Sequence, residues 1–172
     1  QVGETMPNFV LPDQHARLVA LDALLREGPA VVAFLRGHWC PYCRITASAL
    51  SEIAATASEL GARIVAITPE SRQYARMLDQ DSAGAFPILA DLDNGYALSV
   101  NLAIWVDEAM SGLIGGAGWD IPTYQGNESW VLPIPAMFVL GRDGFIVARH
   151  VNPDYRERAD IEEIIAALRV LA

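Results

Sequence analysis

Apolar residues along this chain gather into short runs separated by stretches of mixed polarity. Residues 30–36 read Ala-Val-Val-Ala-Phe-Leu-Arg, an almost unbroken apolar run of strand length. Such a run suits a strand covered on both faces, as in a parallel sheet. Further on, Leu50, Ile53, Ala54, Ala57 and Leu60 recur at helical spacing until Gly61 stops them. Residues 63–68, Arg-Ile-Val-Ala-Ile-Thr, predict a second buried strand, closed by Pro69. The order strand, helix, strand is the unit from which parallel sheets are built.

The same reading extends to both ends. It predicts a helix over 71–79, a short strand over 86–90 and a short helix over 94–102. Apolar runs at 135–140 and 145–151 flank Gly141-Arg-Asp-Gly144, which predicts a β-hairpin. The last helix is the clearest: Asp160 with Glu163 forms a cap pattern, and Ile161, Ile164, Ile165, Leu168 and Leu171 make one stripe. Residues 8–27 alternate weakly around Pro12-Asp13 and predict a hairpin followed by a short helix. Residues 103–134 show no strong period yet carry Trp105, Trp119, Trp130 and Tyr124. A stretch of that length is usually functional or mobile. A lid, a substrate wall, a subunit contact and a plain structural covering of the sheet all remain open for it.

A length of 172 residues fits one domain. With 52% hydrophobic and 19% charged residues, disorder is excluded. No apolar run approaches the ~20 residues of a membrane span, and no basic-then-apolar segment opens the chain. It begins at Gln1, which fits a trimmed initiator or leader. A net charge of −9 speaks against nucleic acid as a partner. All twelve basic residues are arginine, which rules out lysine chemistry. Two cysteines are too few for a secreted disulfide scaffold, so a cytoplasmic location is expected.

Those two cysteines stand at the C-terminal end of the first buried strand, in Arg36-Gly-His-Trp-Cys-Pro-Tyr-Cys-Arg44. Functional sites of open α/β sheets lie at that end. A disulfide across so short a loop removes little unfolded-state entropy, so it is no staple. With Cys40 at the first turn of a helix, Pro41 occupies a position where its missing N–H is harmless. The helix dipole and free N–H groups then favour a Cys40 thiolate. Cys43, one turn on, lies on the same face and deeper, placed to attack whatever Cys40 captures. Arg36, His38 and Arg44 supply local positive charge in an acidic chain. Arg36 and His38 are candidates for electrostatic support, although a solvated surface role suits all three. Tyr42 reads as an exposed shape element, and Trp39 as a platform beside the sulfur or as packing. Structural zinc wants a second ligand pair that is absent here. Haem attachment wants histidine where Arg44 stands. An inert pair of core cysteines is the remaining alternative.

Trp-Cys-Pro-Tyr-Cys after a buried strand resembles the thioredoxin superfamily. Met6-Pro-Asn-Phe-Val-Leu-Pro-Asp13, with residues 18–25 after it, resembles peroxiredoxins of the alkyl hydroperoxide reductase/thiol-specific antioxidant family. Residues 34–44, Ser129-Trp-Val-Leu-Pro-Ile-Pro-Ala-Met-Phe138 and Val151-Asn-Pro-Asp-Tyr155 are similar to its peroxiredoxin-like branch with a Cys-X-X-Cys. The resemblance implies an α/β thioredoxin fold, a central mixed sheet flanked by helices, as one domain over 1–172. It carries an N-terminal extension and an inserted segment around 103–134. It further implies Cys40 as attacking thiolate, Cys43 as resolving thiol, and a cis-proline at Pro135 beside them. Trp39, Pro41, Tyr42 and Pro135 would contact substrate or partner. No metal or other cofactor is implied. The expected activity is reduction of hydroperoxides, with a thioredoxin- or glutathione-type electron donor and a possible homodimer; the alternative is thiol–disulfide exchange on protein or glutathione disulfides. Three departures stand out. Typical peroxiredoxins carry threonine or serine where this chain has Gly37, proline where it has Ala33, and arginine near the position of Pro135. Arg36 and Arg149 are the substitutes to examine. Residues 30–35 also lack thioredoxin's buried acid.

Overall fold

In the computed structural model, which describes residues 1–172, the apolar runs become the strands of one central sheet. In chain order the elements begin with β1 (Val10–Pro12), β2 (Leu18–Ala20), α1 (Leu21–Glu27) and β3 (Ala30–Phe34). They continue through α2 (Pro41–Glu52), α3 (Ala54–Glu59), β4 (Arg63–Thr68), α4 (Arg72–Asp81), β5 (Ile88–Ala90) and α5 (Gly95–Ser99). The chain then runs through β6 (Ala103–Trp105), α6 (Glu108–Gly116), α7 (Ile121–Gln125) and β7 (Val131–Pro133). It ends with β8 (Ala136–Leu140), β9 (Ile146–Val151) and α8 (Ile161–Leu171). The central sheet has strand order β5-β4-β3-β8-β9. β3, β4 and β5 are parallel, and β8 and β9 join antiparallel.

The unbroken hydrophobicity of β3 has a direct cause. Val31, Ala33 and Leu35 face one core with α2, α3, α4 and α8, while Ala30, Val32 and Phe34 face a second core with Met6, Phe9, Leu21 and Tyr96. A strand buried on both faces has no polar position to spare. The helix predicted up to Gly61 is broken at Ile53, which caps both α2 and α3, and the bend keeps Leu50 and Ala57 buried. Asp160 caps α8 by accepting from the Glu162 N–H at 2.9 Å, a contact that stabilises a helix by about 1 kcal/mol.

The N-terminal extension forms the expected hairpin and helix, and it covers the β5 edge. The Gln14 side chain accepts from the Ile88 N–H at 2.9 Å and donates to Asp79 at 2.8 Å. Covering an edge strand this way removes a site of strand-to-strand association. Residues 103–134 are more ordered than their pattern suggested. β6 and β7 pair antiparallel as a small separate sheet, with α6 and α7 between them. Asp107 and Asp120 cap α6 and α7 through the Met110 and Thr123 N–H groups. This arm stands over the C-terminal end of β3. No helix is long and apolar enough to cross a membrane.

Candidate active site

Cys40 is the N-cap of α2 and Pro41 its first residue, as the spacing predicted. Extended backbone at Cys40 (φ −87°, ψ 112°) lets its carbonyl accept from the Cys43 and Arg44 N–H groups at 3.0 and 3.2 Å. Both sulfurs are free thiols. Cys40 is only 2% exposed and Cys43 is completely buried. Cys40 is reached from the floor of a cavity of about 570 Å³. The cysteine loop supplies Arg36, Trp39, Cys40, Pro41 and Tyr42; the arm supplies mostly apolar groups, among them Ile104, Val106, Met110 and Trp119; residues 153–156 close the third side. The arm is therefore a wall of the site. Trp39 and Trp119 meet at 5.4 Å between ring centres.

The electrostatics separate the two sulfurs. The Cys40 thiol is brought down to about 6, first because the Cys43 thiol donates to its sulfur. The Cys43 backbone N–H and the charges of Arg158 and Arg36 add to this, while burial opposes it. Cys43 is pushed well above the ordinary thiol range, chiefly by burial and then by its role as donor to Cys40. Its sulfur also accepts from the Arg36 N–H at 3.2 Å. Arg158, on the loop between β9 and α8, brings Nη2 to 3.6 Å from Cys43 Sγ and 3.9 Å from Cys40 Sγ.

The remaining predicted residues divide. Arg36 is mostly buried rather than solvated and lies 4.7 Å over the Tyr155 ring, lining the cavity. Arg44 is exposed and pairs with Asp81. Tyr42 is half-buried, edge-on to Tyr155 at 5.5 Å. His38 is neither a free surface histidine nor a support for the sulfur. Its Nδ1 meets Glu70 Oε1 at 2.6 Å, and its ring stacks on Tyr74 and meets Tyr124 edge-on. The Ile134–Pro135 peptide is trans, as all are in this chain. The Ile134 N–H bonds to the Leu102 carbonyl, which ties the link between β7 and β8 to the residue before β6. Pro135 is buried and lines a small recess with Arg158 rather than the Cys40 cavity. Arg149 is exposed and contributes nothing to the site.

Glu70 and Arg158 escaped the sequence reading. Glu70 is fully buried just beyond β4, its carboxylate accepting the His38 N–H at 2.8 Å. Burial raises its pKa, and the bonds from His38 counter that. A Cβ on Gly37 would fall 2.4 Å from Glu70 Cδ, so the carboxylate fills the space a side chain at 37 would need. A lone charged residue after a buried strand carries no periodic signal. For Arg158, only its nearness to the family-like stretch ending at Tyr155 could have drawn attention.

Residues 2–149 match the AhpC/TSA family. This chain belongs to that family. It is a thiol-dependent oxidoreductase. It is 22% identical over 160 residues to the thiol-disulfide oxidoreductase ResA of Bacillus thuringiensis (strain Al Hakam), covering 93% of this chain and 75% of that one. In fold it is similar to the peroxidoxin BcpB of Mycobacterium tuberculosis, with a TM-score of 0.77 at 19% identity over 100% of this chain and 98% of that one. A peroxiredoxin-like protein from Aquifex aeolicus gives a TM-score of 0.76 at 13% identity, covering 100% and 88% of the two chains. These likenesses establish the peroxiredoxin variant of the thioredoxin fold expected from the cysteine motif and the N-terminal stretch.

Proposed function

We propose that this AhpC/TSA protein reduces hydroperoxides through Cys40, working as one catalytic domain over residues 1–172. The observation that carries the reading is the setting of the Cys40 sulfur: ionised near pH 6, and reached through a largely apolar cavity large enough for an organic hydroperoxide. The Cys40 thiolate attacks the terminal oxygen of ROOH. An S–O bond forms, the O–O bond breaks, and RO⁻ leaves to take a proton from solvent. The Cys43 thiolate then attacks the sulfenic sulfur, forming the Cys40–Cys43 disulfide and releasing hydroxide, which is protonated to water. A dithiol or glutathione-type donor returns two electrons and restores both thiols. Trp39, Pro41 and Tyr42 line the approach to the sulfur. Arg36 and Arg158 place guanidinium charge beside it, where Gly37 offers no hydroxyl and Pro135 no cation.

Thiol–disulfide exchange is the second reading, favoured by the similarity to the thiol-disulfide oxidoreductase ResA and by the missing hydroxyl at Gly37. Against it, Pro135 does not line the Cys40 cavity, so a partner disulfide seated there would have no contact with this proline. Stopped-flow mixing of the reduced protein with cumene hydroperoxide, hydrogen peroxide and glutathione disulfide separates the two. The proposal expects oxidation of Cys40 by an organic hydroperoxide many times faster than that of a free peptide thiol. Reaction at the free-thiol rate, together with fast turnover of glutathione disulfide, would replace it with the exchange reading.

A further inference from the structure

The two sulfurs need opposite things at successive moments. Before reaction, Cys43 must keep its proton, because its thiol is the main donor to the Cys40 sulfur. After reaction, that same Cys43 must become a thiolate in order to attack Cys40. Its surroundings resist this, since the side chain is completely buried. Few groups are placed to help. The Arg36 N–H reaches Cys43 Sγ at 3.2 Å, and the Arg158 guanidinium reaches it at 3.6 Å. The same Arg158 nitrogen stands 3.9 Å from Cys40 Sγ, so one cation spans both reacting atoms. Arg158 forms no ion pair with a carboxylate. Its Nε donates to the Tyr155 carbonyl at 2.8 Å, which holds the guanidinium fork toward the dithiol.

We infer that Arg158 is a catalytic residue of the resolving step, its guanidinium facing the Cys40 thiolate before reaction and the Cys43 thiolate afterwards. The inference rests on the dithiol chemistry proposed above, not on the identity of the oxidant. When Cys40 is converted to a sulfenic acid or a mixed disulfide, its negative charge is gone, and so is its claim on the guanidinium. The charge of Cys40 and the bond to it are two of the causes that hold the Cys43 proton in place, and both lapse at that point. Cys43 loses its proton to solvent, and its thiolate attacks the Cys40 sulfur. The bond from Cys40 to the captured group breaks, and the group leaves with the electron pair, as hydroxide from a sulfenic acid or as a thiolate from a mixed disulfide. Arg158 neutralises the attacking sulfur throughout.

The test uses dithiobis-nitrobenzoate, an aromatic disulfide whose released thiolate is coloured. Mixed with the reduced protein, it gives one release when Cys40 attacks and a second when Cys43 resolves the mixed disulfide. Arg158→Met, Arg158→Gln and Arg158→Lys are compared with the native protein. An opposite charge at this range moves a pKa by 1–3 units, partly offset by the higher nucleophilicity of a more basic thiolate, so the second release should slow about tenfold in the Met and Gln variants. The first release should change by only about threefold or less, because Cys40 retains the Cys43 thiol, a backbone N–H and Arg36. Lysine should restore much of the second phase. A second phase at the native rate in either folded neutral variant overturns the inference; so does equal slowing of both phases, which would mark a structural role. No peroxide enters this assay. A Cys40 inert to hydroperoxides would overturn the proposed function and leave this result standing.

Discussion

Replacing Gly37 with alanine should be among the most damaging single-methyl changes available in this protein. Gly37 adopts φ +142°, a region that side chains rarely tolerate, and holding a non-glycine residue there costs about 1–3 kcal/mol. The new Cβ would also lie 2.4–2.8 Å from the three terminal heavy atoms of Glu70. That carboxylate cannot swing away cheaply: it is fully buried and holds the His38 N–H and ring at 2.8 and 2.6 Å. Overpacking adds about 1–3 kcal/mol, so the sum is about 2–6 kcal/mol, a large share of a typical stability. Urea denaturation followed by tryptophan fluorescence would read this as a lower midpoint at unchanged slope. A double-mutant cycle sharpens the test. With Glu70→Ala in place, Gly37→Ala should cost only the backbone strain, leaving a coupling energy of about 2 kcal/mol between the two sites. A loss under about 1 kcal/mol for Gly37→Ala alone, or purely additive effects, would refute the account of why this family member lacks a side chain at 37.

Further outcomes follow from the same geometry. The Cys40 thiol should titrate near pH 6, so its rate with hydroperoxide should climb as pH rises through that value and then level off; a midpoint in the free-thiol range contradicts this. Cys43→Ala removes the largest support of the thiolate, and the ultraviolet thiolate titration should move up by about one unit or more. Trp119→Ala opens the cavity wall beside Trp39, and should raise KM for cumene hydroperoxide several-fold while leaving hydrogen peroxide little changed; equal effects on both would remove the arm from substrate selection. Because burial raises the Glu70 pKa, its contribution to stability is greatest when it is protonated and declines as pH rises from the ordinary carboxylate range through the raised value. Glu70→Gln should flatten that part of the stability–pH curve, as read by denaturant midpoints across the acidic range.

Helices and strands with both a period and a boundary signal are legible in the sequence alone. The α8 stripe with its Asp160 cap, the β8–β9 hairpin around Gly141–Gly144, and the β3–α2 junction bearing Cys40 all stand where the pattern put them. The arm over 103–134 was illegible because its strands are three residues long and pair mainly with each other, too short to show an alternation. The trans state of Pro135 is not legible in the sequence, because the cis bond was implied by motif resemblance alone and no residue pattern around Pro135 reports its peptide geometry.

Local order along the chain by itself determined that a cysteine would stand at the start of a helix with a second one turn behind it. Helix-dipole chemistry and the depth of Cys43 follow from that spacing alone. Only the tertiary structure decided which charges reach those sulfurs. Arg158 lies more than a hundred positions along the chain from Cys40, yet its guanidinium touches both thiols, whereas neighbouring His38 is turned away to Glu70. Electrostatic influence falls with distance through space and not along the chain, so the charge of Arg158 could not be read from the sequence neighbours of Cys40, whereas the larger support from Cys43 could.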